Sequence, residues 1–199
     1  MDLEEVHDAE GKPFIFLNVL DIATRFSAFI LVPHKSSAKV VSRFLKRWVS
    51  FAGVPVQIVH DQGGEFFGEF ARKLQQLGIQ VIVTPTEAPW QNSIVERHGA
   101  VLGEILEAMV EQMQIVGEAE MELGGILAAS AKNRRPDHTG HSSRTRCFGV
   151  EERLPGSILD AVLEGENPVE IGEMSNDPVF ARTVALRTAA QEALVRLEA

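Results

Sequence analysis

The sequence Val56-Gln57-Ile58-Val59-His60-Asp61-Gln62-Gly63-Gly64 joins a short apolar run to a turn with two glycines. Such a run is typical of a strand that is buried on both faces of a sheet. Helical periodicity flanks it at about residues 37–51 and 65–77, and a second apolar run follows at 79–83. Alternating strands and helices predict an α/β fold with some parallel strand pairing.

The rest of the chain extends this pattern. Two β-rich runs, at 14–20 and 28–32, predict a hairpin upstream. Helices are predicted at about 92–113, 118–131 and 179–197, the last with Asp177 as its cap and Pro178 in its first turn. Residues 84–91 are predicted to form a loop, and residues 132–149 a polar, turn-like segment.

The composition is that of a globular protein. The chain has 199 residues, of which 45% are hydrophobic, and a single cysteine, Cys147. This length allows one domain with a full core. One cysteine excludes an internal disulfide and a cysteine-rich zinc module within these residues. No apolar stretch is long enough to cross a bilayer, so no membrane partner is predicted.

The net charge of −9 is unevenly distributed. Residues 1–11 contain five acids and no Lys or Arg, and residues 151–177 contain eight acids against Arg153 alone. Residues 12–150 carry 15 Lys and Arg against 13 Asp and Glu. The overall charge therefore does not exclude a nucleic-acid partner, although this balance is less basic than is usual for a DNA-binding domain.

Three acids are placed so that their carboxylates could meet at one point. Asp21 ends the run 14–20, Asp61 opens the turn after the run 56–60, and Glu96 lies early in the predicted helix at 92–113. Converging carboxylates stay ionised together only when cations lie among them. The combination predicts a divalent-metal site suited to phosphoryl transfer.

Each acid also has an ordinary interpretation when taken alone. Asp21 could cap a hairpin turn. Asp61 could belong to a plain turn between a strand and a helix. Glu96 could be a solvated acid on an amphipathic helix. The order and the strand or helix context of all three together favour the metal site.

The segments around these acids resemble the three signature blocks of the retroviral and retrotransposon integrase catalytic core. The blocks are Leu17–Asp21, Val59–Phe66 and Gln91–His98, and the resemblance extends from about Phe14 to Pro155. It implies a ribonuclease H-like α/β fold, in which a mixed sheet is flanked by helices, with a C-terminal helical and irregular extension. The implied division is a catalytic core at 1–155 and an acidic linker with a terminal helix at 156–199.

The resemblance also implies a polynucleotidyl transferase of the DDE class, which nicks a DNA 3′ end and transfers it to target DNA. Asp21, Asp61 and Glu96 would be catalytic and would hold two Mg²⁺ or Mn²⁺ ions, with Asp21 bridging them. DNA would be the partner, a homodimer or larger assembly the active form, and the nucleus the place of action.

Further residues are candidates for DNA contact: Gln91, Asn92, Arg97, Lys132, Arg134 and Arg135. Asn92 could equally be a helix cap, and Arg97 a partner in a surface salt bridge. Two other functions stay open. One is a related transposase or nuclease on the same fold. The other is an adopted or inactive integrase-like domain that acts in dimerisation or protein binding.

Overall fold

The computed structural model describes residues 1–84, 93–150 and 177–197. Its strands are β1 (Asp2–His7), β2 (Pro13–Leu20), β3 (Ser27–Val32), β4 (Gln57–His60) and β5 (Gln80–Val83). Its helices are α1 (Ser37–Phe44), α2 (Glu69–Gln76), α3 (Ser93–Met113), α4 (Glu118–Arg134), α5 (Ser143–Phe148) and α6 (Pro178–Arg196). Helix α1 continues through a π-helical segment (Leu45–Val49) and a last turn (Ser50–Ala52), and a 3₁₀ turn (Gly64–Phe66) precedes α2. Across these described ranges, no helix combines the length and the apolarity that a bilayer span requires.

The strands form one antiparallel and one parallel group. β1, β2 and β3 make an antiparallel meander in that order, and β4 pairs parallel with β5. The amino group of Met1, next to the first residue of β1, donates a hydrogen bond of 2.7 Å to the carbonyl of Val59 in β4. The predicted α/β fold with a mixed sheet and flanking helices is confirmed.

Strand β1, which lies in the acidic segment 1–11, was not predicted from the sequence patterns. This segment forms a strand because it pairs along its whole length with the apolar strand β2. The buried carboxylate of Asp8 closes the hairpin, since its Oδ1 accepts hydrogen bonds from the amides of Glu10 (3.1 Å) and Lys12 (2.9 Å). Its other oxygen accepts one from the amide of Gly117 (3.1 Å). Tertiary pairing thus overrides a poor local strand propensity.

Two hydrophobic clusters lie on opposite faces of the meander. Phe14 and Phe16 of β2 face the first cluster, with α3, α4 and α6. Leu17 and Val19 face the second, with α1, α2 and β4. This alternation is the period of two that a strand requires. Helix α6 contributes buried residues such as Leu186 to the first cluster, whereas the division of the chain at residue 155 stays a prediction.

The segment 132–149 is more helical than its composition indicated. Helix α4 extends to Arg134, and α5 follows after a short turn. The hydroxyl of Ser142 caps α5 by accepting a 3.0 Å hydrogen bond from the amide of Thr145, and Gly149 ends it at φ 74°. The ring of Phe148 packs against Phe26, with centroids 5.1 Å apart. A six-residue helix is too short to show a periodic pattern in the sequence.

Candidate active site

Strand β1 brings Asp2 between Asp61 and Glu96. On one side, the 2.7 Å bond from Met1 to Val59 holds the start of β1 beside β4, two residues before Asp61. On the other side, Asp2 pairs in register with Asn18, whose amide donates a 2.9 Å hydrogen bond to the carbonyl of Val95. Val95 directly precedes Glu96 in the first turn of α3. Backbone anchors on both sides therefore position the three carboxylates.

The pKa shifts of two acids in β1 depend on the same neighbouring carboxylates. Burial raises the pKa of Asp2, and the negative charges of Asp61 and Glu96 raise it further. Burial also raises the pKa of Glu4, followed by the charges of Asp2 and Glu96. Glu4 lies two residues after Asp2 and thus on the same face of the strand. Four carboxylates act on one another here.

The turn after β4 fixes the orientation of Asp61. Its Oδ1 accepts a 3.0 Å hydrogen bond from the amide of Gly63. A Cβ at Gly63 would lie 2.9 Å from Cδ of Glu65 and 3.0 Å from Oδ1 of Asp61, so a side chain there would displace one of these carboxylates. The preceding ring of His60 is buried and stacks on Phe66 with centroids 4.8 Å apart. These contacts hold the turn that contains Asp61 in place, as the predicted role of Asp61 as a metal ligand at a strand end requires.

A glycine brings helix α3 close to the sheet. A Cβ at Gly99 would lie 2.5 Å from Oε1 of Glu4 and 3.0 Å from Nδ2 of Asn18. Gly99 is three residues after Glu96 and therefore on a neighbouring part of the same helix face. This close approach keeps the first turn of α3 against β1 and β2.

Asp21 lies in a different environment. It follows β2, and its carboxylate accepts hydrogen bonds from the amide and hydroxyl of Thr24, as a turn cap does. Being three residues beyond Asn18, it lies roughly 10 Å further along the sheet than the register position of Asp2. It lines a cleft of about 210 Å³ with Phe44 and Trp48, and neither Asp61 nor Glu96 lines that cleft.

Asp21 also acts on Cys147 in α5. Burial raises the pKa of Cys147 in α5, and the charge of Asp21 raises it further. Asp21 lies three positions after Asn18 and directly follows the last residue of β2. Asn18 faces α3, whereas Asp21 falls on the face of the second cluster. The charges of Asp61 and Glu96 act on Asp2, whereas Asp21 lines a cleft with Met1, Val59 and Val95, which are sequence neighbours of that group.

The donors at this site suit a hard divalent cation. Within residues 1–84, 93–150 and 177–197, no three His, Cys, Asp or Glu side chains form a ready-made metal cluster. The chemistry of the carboxylates nevertheless fits Mg²⁺ or Mn²⁺, which prefer oxygen ligands. A cation between them would also offset the repulsion that raises the pKa of Asp2.

The predicted DNA-contacting residues fall into three groups. Arg97, Lys132 and Arg135 line one cleft of about 450 Å³. Arg134 directly precedes Arg135 but does not line that cleft. Gln91 and Asn92 lie outside the described residues.

Lys132 is the most buried of these cations. Its Nζ donates hydrogen bonds to the carbonyl of Arg25 (3.1 Å) and to the hydroxyl of Ser27 (2.8 Å). Burial lowers the pKa of Lys132 to about 7, and the nearby charge of Arg25 acts in the same direction. Burial also lowers the pKa of His98 to about 4, together with the charges of Lys132, Arg25 and Arg97.

The sequence patterns missed Asp2 and Glu4 as site residues. The one local sign was the turn-like segment Asp8-Ala9-Glu10-Gly11, which precedes the apolar run of β2 and is typical of a hairpin. A hairpin there would have placed the acids of segment 1–7 beside β2. The five acids of residues 1–11 were instead interpreted as part of the uneven charge distribution of the chain.

Comparison with known proteins gives limited sequence similarity. No protein-family model matches the chain. Over 89 residues it is 38% identical to an uncharacterized 39.2 kDa protein of insertion element IS476 from Xanthomonas euvesicatoria. The match covers 44% of this chain and 26% of that protein, so the chain spans about a quarter of the relative's length.

Solved structures give a broader match. A chain in the simian T-cell lymphotropic virus intasome, in complex with the PP2A regulatory subunit B56 gamma, superposes with a TM-score of 0.65 at 15% identity, over 77% of this chain and 54% of that one. The HTLV-2 integrase catalytic core in complex with magnesium, in a dimeric form, gives 0.59 at 14% identity, over 75% and 92%. The catalytic core of BIV integrase gives 0.57 at 17% identity, over 74% and 91%. The protein has the fold of the retroviral integrase catalytic cores.

Proposed function

We propose that this protein is a metal-dependent polynucleotidyl transferase of the integrase and transposase class, which nicks DNA ends and transfers them to target DNA. The observation that carries the proposal is the convergence on Asp2 of two charges, Asp61 and Glu96, from the ends of β4 and the start of α3. The fold supports it, because the solved structures with this fold are integrase cores.

The proposed carboxylate set is Asp2, Asp61 and Glu96. Asp2 and Asp61 are held by strand backbone, so they are the rigid members, whereas Glu96 is exposed on the first turn of α3 and can adjust. Two Mg²⁺ or Mn²⁺ ions, when bound, would stabilise charge on the attacking and leaving oxygens at phosphorus. No side chain of the set has to form a covalent intermediate.

The predicted role of Asp21 is tested against that of Asp2 in one assay. A labelled duplex oligonucleotide is incubated with the protein and Mn²⁺, and nicked product is measured on a denaturing gel. We expect Asp2→Asn, Asp61→Asn and Glu96→Gln each to lower the nicking rate by roughly two orders of magnitude or more, since each removes a ligand that stabilises the transition state.

Asp21→Asn is the matched control, because it makes the same substitution at an acid outside the proposed set. We expect it to keep most of the nicking rate and to lower stability by about 1 kcal/mol through the loss of a turn cap. Loss of nicking in Asp21→Asn with normal activity in Asp2→Asn would restore Asp21 to the carboxylate set. Parent-level nicking by the Asp61→Asn and Glu96→Gln variants would reject the function.

Self-association is the second part of the proposal. Strand β3 is the edge of the meander, and a cleft of about 280 Å³ runs along residues 26–31. Two apolar side chains that line it, Phe51 and Ile126, are 47% and 48% exposed. A strand with no outer partner strand among the described residues, beside exposed apolar side chains, favours contact with another chain.

We propose that two copies of this chain associate through this surface. The HTLV-2 core, which has the same fold, is known in dimeric and trimeric forms. The same surface favours the second candidate function, a domain that acts by dimerisation without chemistry. The nicking assay separates the two. Nuclear action stays a prediction that depends on the DNA substrate.

A further inference from the structure

A basic cleft lies beside the proposed active site. It is the cleft of about 450 Å³ that contains Lys132, and it is bounded by α3, the end of α4, the β2–β3 turn and α5. Its Lys and Arg side chains are Arg25, Arg97, Lys132, Arg135 and Arg146. Among the described residues that line it, Asp137 is the one carboxylate, and it forms an ion pair with Arg146. The other four cations share the cleft without a second acid in its walls.

Two of these cations are built into the cleft rather than extended into solvent. Lys132 is 9% exposed, and both of its hydrogen-bond acceptors, the carbonyl of Arg25 and the hydroxyl of Ser27, are neutral. Nη1 of Arg25 is buried and has no hydrogen-bond partner among the described residues. A buried amine with neutral acceptors and a buried guanidinium nitrogen without a partner make the cleft favourable for an anion.

The backbone of Arg25 adds a second sign of a specific role. Its φ is 64°, in the left-handed region that a non-glycine residue seldom adopts. A glycine would fit this turn with less strain. An arginine in this backbone conformation costs local conformational energy. The carbonyl of Arg25 accepts a hydrogen bond from Nζ of Lys132, and the charge of Arg25 acts on that ammonium.

We infer that this cleft binds one phosphate group of a nucleic-acid backbone, held by Arg25 and Lys132 and flanked by Arg97 and Arg135. A guanidinium matches two phosphate oxygens at once, and a buried ammonium adds a point charge. Arg97 directly follows Glu96 on α3, so the cleft and the proposed carboxylate set share this helix. The nucleic-acid source of the phosphate rests on the proposed function, whereas the preference of the cleft for an anion does not.

The experiment measures binding of labelled single-stranded and duplex oligonucleotides by fluorescence anisotropy, in EDTA and over a range of salt concentrations. We expect Arg25→Gly to weaken binding roughly tenfold and to lower the slope of log K against log salt by about 0.7–0.9, the loss of one phosphate contact. The melting temperature should be unchanged or higher, because glycine fits the turn. Lys132→Met, which keeps the buried stem, should weaken binding similarly.

Arg134→Gln is the matched control, since it removes one positive charge beside the cleft without changing its lining. Equal weakening by Arg25→Gly and Arg134→Gln would overturn the inference, because the effect would then be general electrostatics. Inorganic phosphate is the second probe. Calorimetric binding of phosphate that depends on Arg25, and that oligonucleotides displace, supports the inference. Phosphate binding that oligonucleotides fail to displace overturns the nucleic-acid source.

These assays can reject the proposed function and the phosphate site independently of each other. Binding in EDTA does not use the carboxylate site. Metal-dependent nicking that requires Asp61, with oligonucleotide binding unaffected by Arg25→Gly, leaves the function standing and removes the phosphate site. Binding that requires Arg25, with no nicking under any metal condition, leaves the phosphate site standing and removes the proposed function.

Discussion

Asp2 and Asp21 show how far the role of a carboxylate depends on its partners. Both are partly buried acids at the end of a strand. Asp2 lies among other carboxylates, and its pKa is raised by burial and then by Asp61 and Glu96. Asp21 instead accepts hydrogen bonds from Thr24 in its own turn. The first arrangement is destabilised by like charge and suits a cation, whereas the second is locally satisfied.

Lys132 gives a prediction at the same scale. Its pKa is about 7 in the folded protein against 10.5 for the free side chain. Between these two values the unfolded chain binds the proton and the folded chain does not, so stability rises with pH. The full cost of charging the buried amine is present below pH 7 and is relieved as the pH increases towards 10.5. The slope reaches at most about 1.4 kcal/mol per pH unit.

We therefore expect Lys132→Met to flatten the rise of the unfolding free energy between pH 7 and 10. The measurement is urea unfolding of the parent and the variant at several pH values, in a buffer free of phosphate. The amino group of Met1 also titrates with a pKa lowered by burial to about 6. It is present in both proteins, so it cancels in the difference. Identical slopes for the two proteins would contradict the assigned burial of the amine.

At the scale of elements, glycines set how closely the helices approach the sheet. A Cβ at Gly125 in α4 would lie 2.6 Å from Cε1 of Phe16 and 3.2 Å from the backbone oxygen of Phe29. Helix α4 can pack directly on β2 and β3 because this side chain is missing. Gly103 in α3 differs, since a Cβ there meets nothing within 4 Å.

These two positions give opposite expectations for the same substitution. Gly125→Ala should destabilise the protein by about 1–3 kcal/mol, because overpacking against backbone outweighs the gain in helix propensity. Gly103→Ala should stabilise it by up to about 1 kcal/mol through helix propensity alone. Thermal and urea unfolding measure both. A stabilised Gly125→Ala variant would show that α4 lies further from the sheet than described here.

On the scale of the whole molecule, the meander leaves one strand edge open. β3 has no partner strand on its outer side among the described residues, and the apolar side chains of Phe51 and Ile126 flank the cleft beside it. The ion pair between Arg47 and Glu122, with an N–O distance of 2.6 Å, links the two walls of the same cleft. An apolar centre with charged neighbours is the usual composition of an interface between subunits.

We expect Ile126→Glu to shift the protein towards the monomer, because it places a charge at the centre of the apolar surface. Sedimentation equilibrium of the parent and the variant measures the change. Val179→Glu is the control, since Val179 is 73% exposed on α6 and does not line the cleft. A parent that is monomeric at all concentrations, or an Ile126→Glu variant that associates as the parent does, would exclude this surface.

The sequence by itself determined the fold class and two of the proposed carboxylates. Apolar runs and helical periodicity are local properties, and the turn after His60 and the first turn of α3 carry Asp61 and Glu96 in recognisable contexts. Periodicity also predicted α3 to within a residue of its described start and end. Short or charged elements such as α5 and β1 gave no periodic signal.

The third member of the proposed set came from tertiary contacts, which favour Asp2. Asp21 has the better local pattern, at the end of an apolar strand. Asp2 lies in a charged segment that becomes a strand by pairing with β2. Register then sets Asp2 opposite Asn18, and the hydrogen bond from Asn18 to Val95 brings Glu96 to the same face. Convergence of charges depends on which strands pair and on which face each residue falls, and neither is a property of a local stretch of sequence.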